Sequence, residues 1–260
     1  MMTISYLNIL LGLLLLAVPA YAVFAYDRLT WRKSAMAVVR MLVQMTVMGG
    51  LLWAVYRFDT LWLNLLWLAV LVLAAAFLLV SRTHIHSRVL MQPACVSMLV
   101  SVLLVSAYVL FAVFRVESAW SARWFVPVTG VLMAHVLTTN IPAVRTYFDS
   151  LHQDSQPYLT LLANGANRQQ ALAPYLTRAL KSLAVPAIAN LSAMGLFVMP
   201  MLLSGLLLGG LSPVKAVFTF VVLVLAGLAV SVLSLFLTLW LADRRAFSRQ
   251  GLLGDIFTTN

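Results

Sequence analysis

Seven runs of about twenty apolar residues divide this chain, and they constrain its fold more than anything else in it. A helix rises about 1.5 Å per residue, so about twenty apolar residues cross a bilayer. The runs are roughly Ile4–Tyr26, Ala35–Tyr56, Leu61–Val80, Ala94–Phe114, Trp124–Ile141, Leu183–Leu208 and Ala216–Ala242. Hydrocarbon offers no partner for backbone amides, so each run must satisfy its own as a helix. Hydrophobic residues make up 63% of the chain and charged residues 9%, far from the balance of a water-soluble domain. The expected fold is an all-α integral membrane protein of about seven transmembrane helices. Residues 1–260 read as a single polytopic domain, with no second composition and no long repeat. The first run carries no basic residue before it and three after it, Arg28, Arg32 and Lys33, the reverse of a cleavable leader. It is expected to be a retained span.

The net charge of +10 resembles a nucleic-acid signal, but topology explains it better. The segments after spans one, three, five and seven carry Arg28, Arg32, Lys33, Arg82, Arg88, Arg145, Arg168, Arg178, Lys181, Arg244, Arg245 and Arg249, twelve cations in all. The alternate segments carry four, Arg57, Arg115, Arg123 and Lys215. Cytoplasmic segments retain Lys and Arg, so the N-terminus is expected outside and the C-terminus inside. A nucleic-acid partner is not expected; the lipid bilayer is. Trp53, Trp62, Trp67, Trp120 and Trp124 near span ends read as an interfacial belt. Cys95 is alone, so no internal disulfide can form.

The longest polar stretch, about Pro142 to Ser182, falls between spans five and six on the basic side. Its pattern is helical: Leu172, Tyr175 or Leu176, Ala179 or Leu180, and Leu183 recur at three- and four-residue spacing. Asn167 suits an N-cap, and Gly165 suits the end of a preceding helix that starts near Pro157. The spacing predicts helix, Gly165 turn, second helix, with a bend at Pro174. Such a segment either lies on the membrane surface or grips a soluble partner. Span six is irregular, with Pro186, Gly195, Pro200, Gly205, Gly209 and Gly210, and reads as one kinked crossing or as a crossing followed by a short re-entrant piece. Gly209-Gly210 and Pro213 form the turn into span seven.

Polar residues inside spans are the candidates for function. His135 lies in span five, followed by Thr138, Thr139 and Asn140; Asn190, Ser192 and Met194 lie in span six; Arg40 opens span two with Gln44 one turn on. They line a polar path or hydrogen-bond between helices, and Arg40 also suits snorkelling to the headgroups. Met194, Met199 and Met201 form a thioether cluster that doubles as core filler, and His84 and His86 form an isolated pair in a loop. No metal-ligand set is legible. The seven acidic residues, Asp27, Asp59, Glu117, Asp149, Asp154, Asp243 and Asp255, fall in loops or at span ends, so no acid pair for hydrolysis or group transfer sits within the membrane. An intramembrane enzyme is therefore disfavoured against a transport subunit or an assembly or sensor subunit.

The run from Leu162 to Ala216 resembles the permease subunits of bacterial iron-export ABC transporters, relatives of the plant aluminium-sensitivity proteins. The marks are Gly165-Ala166 followed by Gln170-Ala171, Arg178, Pro186, Gly195-Leu196, Pro200, Ser204-Gly205, Gly210 and Pro213-Val214-Lys215-Ala216; Arg40, Gln44, Gly49, Pro127 and Gly130 are weaker marks upstream. The resemblance implies a multi-pass permease of the bacterial cytoplasmic (inner) membrane, working as a homodimer with a separate cytoplasmic ABC ATPase that binds Mg-ATP. The chain has no G-x-x-x-x-G-K-[ST] loop and is expected to bind no cofactor itself. By the same resemblance Leu162, Gly165, Ala166, Arg168, Gln170, Ala171 and Arg178 belong to the ATPase-coupling element. The sequence departs from the family pattern where Ala189 and Ser212 stand for Asp, Ser192 for Lys and His135 for Asn.

Overall fold

The computed structural model describes residues 28–83, 85–194 and 201–246, and they are helical nearly throughout, with no strand. The helices are α1 (Arg28–Phe58), α2 (Leu61–Thr83), α3 (Ser87–Ala107), α4 (Ala122–Gln153), α5 (Ser155–Ala163), α6 (Arg168–Met194), α7 (Met201–Leu208) and α8 (Pro213–Ala246). Five are long and apolar enough to cross a membrane: Ser34–Phe58, Leu61–Thr83, Val89–Val113, Ala122–Gln153 and Pro213–Ala246. They coincide with expected spans two, three, four, five and seven. Span one lies outside the described residues. Span six begins in α6 and resumes in α7, and residues 195–200 between them, with Gly195, Leu196, Met199 and Pro200, lie outside the described residues.

The described chain divides into two units at the 58/59 boundary. In the first, α1 is a single 31-residue helix. In the second, α8 packs on α3 and α4, and α4 also receives α2 and α6. The buried faces follow helical spacing. On α2 they are Asn64, Trp67, Leu68, Val72, Ala75, Ala76 and Leu79; on α8 they include Leu223, Val230, Ser234, Thr238 and Ala242. Small polar residues are buried on both helices of the α3–α8 pair, Ser97 and Ser101 on α3 and Ser231, Ser234 and Thr238 on α8, and small residues let helices approach closely. Ser97 Oγ and Thr238 Oγ1 are 2.5 Å apart. In a membrane, where apolar burial does not drive helices together, such packing and hydrogen bonding hold the bundle.

Both ends of this bundle are tied. At one end Asp59 Oδ1 accepts hydrogen bonds from the Ala122 amide (2.6 Å) and from Asn64 Nδ2 (3.3 Å), and Asn64 Nδ2 also donates to the Trp120 carbonyl (2.7 Å). The Asp59 carboxylate thereby satisfies an N-terminal amide of α4 and complements its dipole. The other end carries Arg82, Arg145, Arg168, Arg178, Arg244 and Arg245 and is called the basic end below. There Arg245 Nη2 donates to Gln92 Oε1 (2.5 Å), and the Arg244 guanidinium lies 3.8 Å over the Trp240 ring.

The polar stretch between spans five and six is less of a loop than expected. α4 runs through Pro142 to Gln153, three turns beyond the expected end of its span, and α6 runs through Pro174 and Pro186 without a break. Proline removes one helical hydrogen bond but leaves the helix standing where packing holds both sides. Here Tyr147, Phe148 and Leu151 of the α4 extension are buried with Leu172, Tyr175 and Ala179 of α6. That burial outweighs the proline cost and makes both segments helical.

Candidate functional site

The turn from α5 into α6 is a two-part device. The amide of Ala166 donates to the Leu161 carbonyl and that of Gly165 to the Leu162 carbonyl, both at 3.0 Å, while Gly165 has φ +86°. This is a Schellman ending, and the left-handed conformation is why glycine stands there. Two residues later, the Gln170 amide donates to Asn167 Oδ1 (2.9 Å) and the Asn167 amide donates to Gln170 Oε1 (3.0 Å). This reciprocal capping box starts α6 at the residue expected from sequence. Asn167→Ala should cost about 1 kcal/mol of stability, and Asn167→Ser should keep most of it. Protease sensitivity at the turn, compared with thermal unfolding of the purified protein, checks this.

The hairpin is then fastened to the bundle. Asp154, just before α5, accepts from Arg178 Nη1 on α6 at 2.5 Å, and the Tyr175 hydroxyl donates to the Asp154 carbonyl at 2.9 Å. Burial, and after it the Asp154 charge, push the Tyr175 phenol above its ordinary value, so it stays protonated and donates. Both partners of the ion pair are partly solvated, so the pair contributes at most about 1 kcal/mol. On the other side Arg168 donates to the main-chain oxygen of Asp243. That carbonyl lies in the last described turn of α8, where a guanidinium suits the helix dipole. The Asp243 carboxylate accepts the hydroxyl proton of the buried Tyr147 on α4, with oxygen separations of 3.0 and 2.9 Å. α4, α6 and α8 are thus joined at Tyr147, Arg168 and Asp243.

The residues expected to couple to an ATPase therefore already have internal tasks. Leu162 packs against the core and Ala171 is fully buried. Gly165, Ala166 and Gln170 make the turn and cap, Arg168 meets α8, and Arg178 meets Asp154. What the hairpin leaves exposed on α5 includes Leu159 and Leu161, one on either side of the inward-facing Tyr158 and Leu162, on a helix too short to span a membrane. Sequence reading passed over these leucines. It also passed over Tyr147, and placed Asp154 and Asp243 only as loop or span-end acids.

Midway along the bundle, α4, α6 and α8 line a partly open cavity of about 200 Å³. Its polar lining is His135, Thr138 and Thr139 from α4 and Ser182 and Asn190 from α6; Pro142, Pro186, Val224 and Leu228 are among the remaining residues. Two expected path residues, His135 and Asn190, thus meet in one place. Asn140 does not line the cavity: it is fully buried nearby, and its Nδ2 has no hydrogen-bond partner among the described residues. Ser192 and Met194 continue α6. Arg40 and Gln44 are one turn apart and exposed on α1, and the cavity lining comes wholly from the second unit.

The cavity owes its character to backbone as well as side chains. Proline has no N–H, so Pro142 leaves the Thr138 carbonyl, and Pro186 the Ser182 carbonyl, without a helical donor. All four residues line the cavity. The Thr138 hydroxyl donates to the Ala134 and His135 carbonyls, both at 3.0 Å, and the Thr139 hydroxyl to the His135 carbonyl at 2.8 Å. Their remaining lone pairs can accept. The wall is mostly apolar, with a few oxygen acceptors and one imidazole, and carries no formal carboxylate or ammonium group. Such a wall suits a ligand that donates hydrogen bonds or carries positive charge and must also leave. Among the described residues no three His, Cys, Asp or Glu side chains gather as a metal-binding group.

A bundle of long apolar helices with a basic end defines a multi-pass membrane protein. The family model described as "Uncharacterised protein family (UPF0014)" matches residues 6–247, and the chain belongs to that family. It is 26% identical over 177 residues to the UPF0014 membrane protein slr1647 of Synechocystis, covering 68% of each chain. It is 23% identical over 243 residues to the probable iron export permease protein FetB of Escherichia coli, covering 91% of this chain and 90% of that one. It is 26% identical over 98 residues to Protein ALUMINUM SENSITIVE 3 of Arabidopsis thaliana, covering 38% of this chain and 36% of that one. No solved structure matches the chain.

Proposed function

We propose that this protein is the permease subunit of an ABC-type transporter in a bacterial cytoplasmic membrane, moving a small solute or metal ion under the power of a separate ATPase. The basic end faces the cytoplasm, the α5–α6 hairpin seats on the ATPase, and the α4–α6–α8 cavity holds the cargo in transit. Export of an iron-like ion follows by resemblance to the FetB relative. Two permease copies and two ATPase subunits, with Mg-ATP on the latter, complete the assembly.

The observation that carries this reading is α6 itself. One unbroken helix starts at the capped turn on the basic end and reaches the cavity at Pro186 and Asn190. From Arg168 to Asn190 it spans roughly 33 Å. A push on the hairpin therefore arrives at the cavity wall through a stiff element. Cargo moves only if its affinity differs between the two states of that wall.

The test is gentle purification of the full chain from its host. A P-loop ATPase should come with it, and the transported solute should raise the ATP hydrolysis rate of the complex. Purification without any ATPase, from cells that express one encoded nearby, would sink the reading. An ATPase that binds but responds to no solute would replace transport by an assembly or sensor role.

A further inference from the structure

Gly227 sits on α8 opposite His135. A Cβ at Gly227 would lie 2.7 Å from His135 Cγ and Cδ2 and 3.1 Å from Nδ1, closer than side chains approach one another. Among the described glycines it alone would bring its Cβ against another side chain. Most of the others have nothing within 4 Å, so this close approach is not a general property of glycine in the bundle. The neighbours on α8, Val224 and Leu228, line the cavity together with His135. The imidazole is thus seated with its ring face against bare backbone at the cavity wall. Both sides of the seat are held. Ser231 Oγ donates to the Gly227 carbonyl at 2.7 Å, and the Thr139 hydroxyl donates to the carbonyl of His135 itself.

We propose that Gly227 is the positioning residue of the cavity: its missing side chain receives the His135 imidazole and sets how far that ring projects into the cargo space. The inference rests on the reading of the cavity as a cargo site. Filling the notch would drive the ring off α8. The free space would shrink, and the ring nitrogens would be displaced from the Thr138, Ser182 and Asn190 oxygens that share the wall. Glycine here thus selects the size of what the cavity admits and the point at which the imidazole meets it.

The experiment compares full-length wild type, G227A, H135A and G227A/H135A in detergent. Three quantities are read: thermal midpoint, the rate of diethylpyrocarbonate labelling at His135 by mass spectrometry, and slowing of that labelling by Mn²⁺. The exposed His152 is the internal control. G227A should lower the midpoint by roughly 3–8 °C when His135 is present, as overpacking does. It should have almost no effect in the H135A background. His135 labelling in G227A should rise several-fold with His152 unchanged, and protection by Mn²⁺ should be lost. If G227A alone cannot be recovered folded, its rescue by H135A reads the same contact. An equal loss of midpoint with and without His135, together with unchanged labelling, overturns the seat. If wild-type His135 is not protected by Mn²⁺ while the midpoint coupling holds, the seat stands and the cation-cargo reading fails.

Discussion

Leu161→Glu and Arg168→Ala should separate two functions of the hairpin: the first should release the ATPase, and the second should keep it but break its link to transport. Leu161 is exposed on α5, so a charge there leaves the fold intact. In a docked complex that carboxylate would be buried without a partner, a change that weakens association by about tenfold or more. Arg168 instead faces inward, on the Asp243 carbonyl at the end of α8. Its loss leaves the exposed Leu159 and Leu161 of α5 as they were. What disappears is the joint by which a displacement of α6 reaches α8. Solute-stimulated ATP hydrolysis, measured beside co-purification, should fall about tenfold in Arg168→Ala, which corresponds to a coupling energy of about 1.4 kcal/mol. Deleting Ala163–Ala171 would remove the turn, the cap and Arg168 together, so it tests association but cannot assign it. If Arg168→Ala lost the ATPase and Leu161→Glu kept it, the two roles would have to be exchanged.

Tyr147→Phe should be the most destabilising conservative change at the basic end. The ring is 1% exposed, and its hydroxyl donates to both oxygens of the Asp243 carboxylate. Phenylalanine keeps the edge-to-face contact with Phe148, whose ring centroid is 5.1 Å away. Only the hydrogen bond is lost, and the carboxylate loses a donor it cannot replace in that packed position. A hydrogen bond to a charged group contributes about 1.5–3 kcal/mol. At roughly 2–4 °C per kcal/mol for a chain of this size, the thermal midpoint should fall by several degrees. Asp243→Asn retains an acceptor for the tyrosine and should cost less. The order Tyr147→Phe worse than Asp243→Asn is the outcome to check. The reverse would mean that the carboxylate's charge, rather than the phenol's proton, holds the joint.

The seat at Gly227 adds a consequence for the middle of the bundle. None of the residues that line the α4–α6–α8 cavity is a carboxylate or an ammonium. The acceptors that remain are hydroxyls, an amide, an imidazole and carbonyls deprived of helical donors by Pro142 and Pro186. A neutral wall of this kind binds weakly and releases readily, and it is sensitive to the placement of its one ionisable ring. That makes the geometry around His135 more consequential here than in a wall built on carboxylates.

Much of this protein was already written in local patterns. Hydrophobic run length located the five described spans, because a bilayer demands about twenty apolar residues from each crossing. Asn167, Gln170 and Gly165 announced the α5–α6 turn, because capping and left-handed backbone are decided by residues within one turn of each other. His135 and Asn190 stood out because polar groups in apolar runs are rare.

Tertiary structure decided what depends on residues far apart in the chain. The helices continue through Pro142, Pro174 and Pro186 because packing against distant partners outweighs the lost hydrogen bonds, which propensity alone does not register. Arg168 turned inward because the main-chain oxygen of Asp243 on α8, 75 residues later in the chain, comes to lie beside it. Gly227, one glycine in an apolar run, acquired its role only when α8 came to lie against His135 on α4. Caps and spans are short-range consequences of backbone and solvent; joints and cavities are set by which helix faces meet.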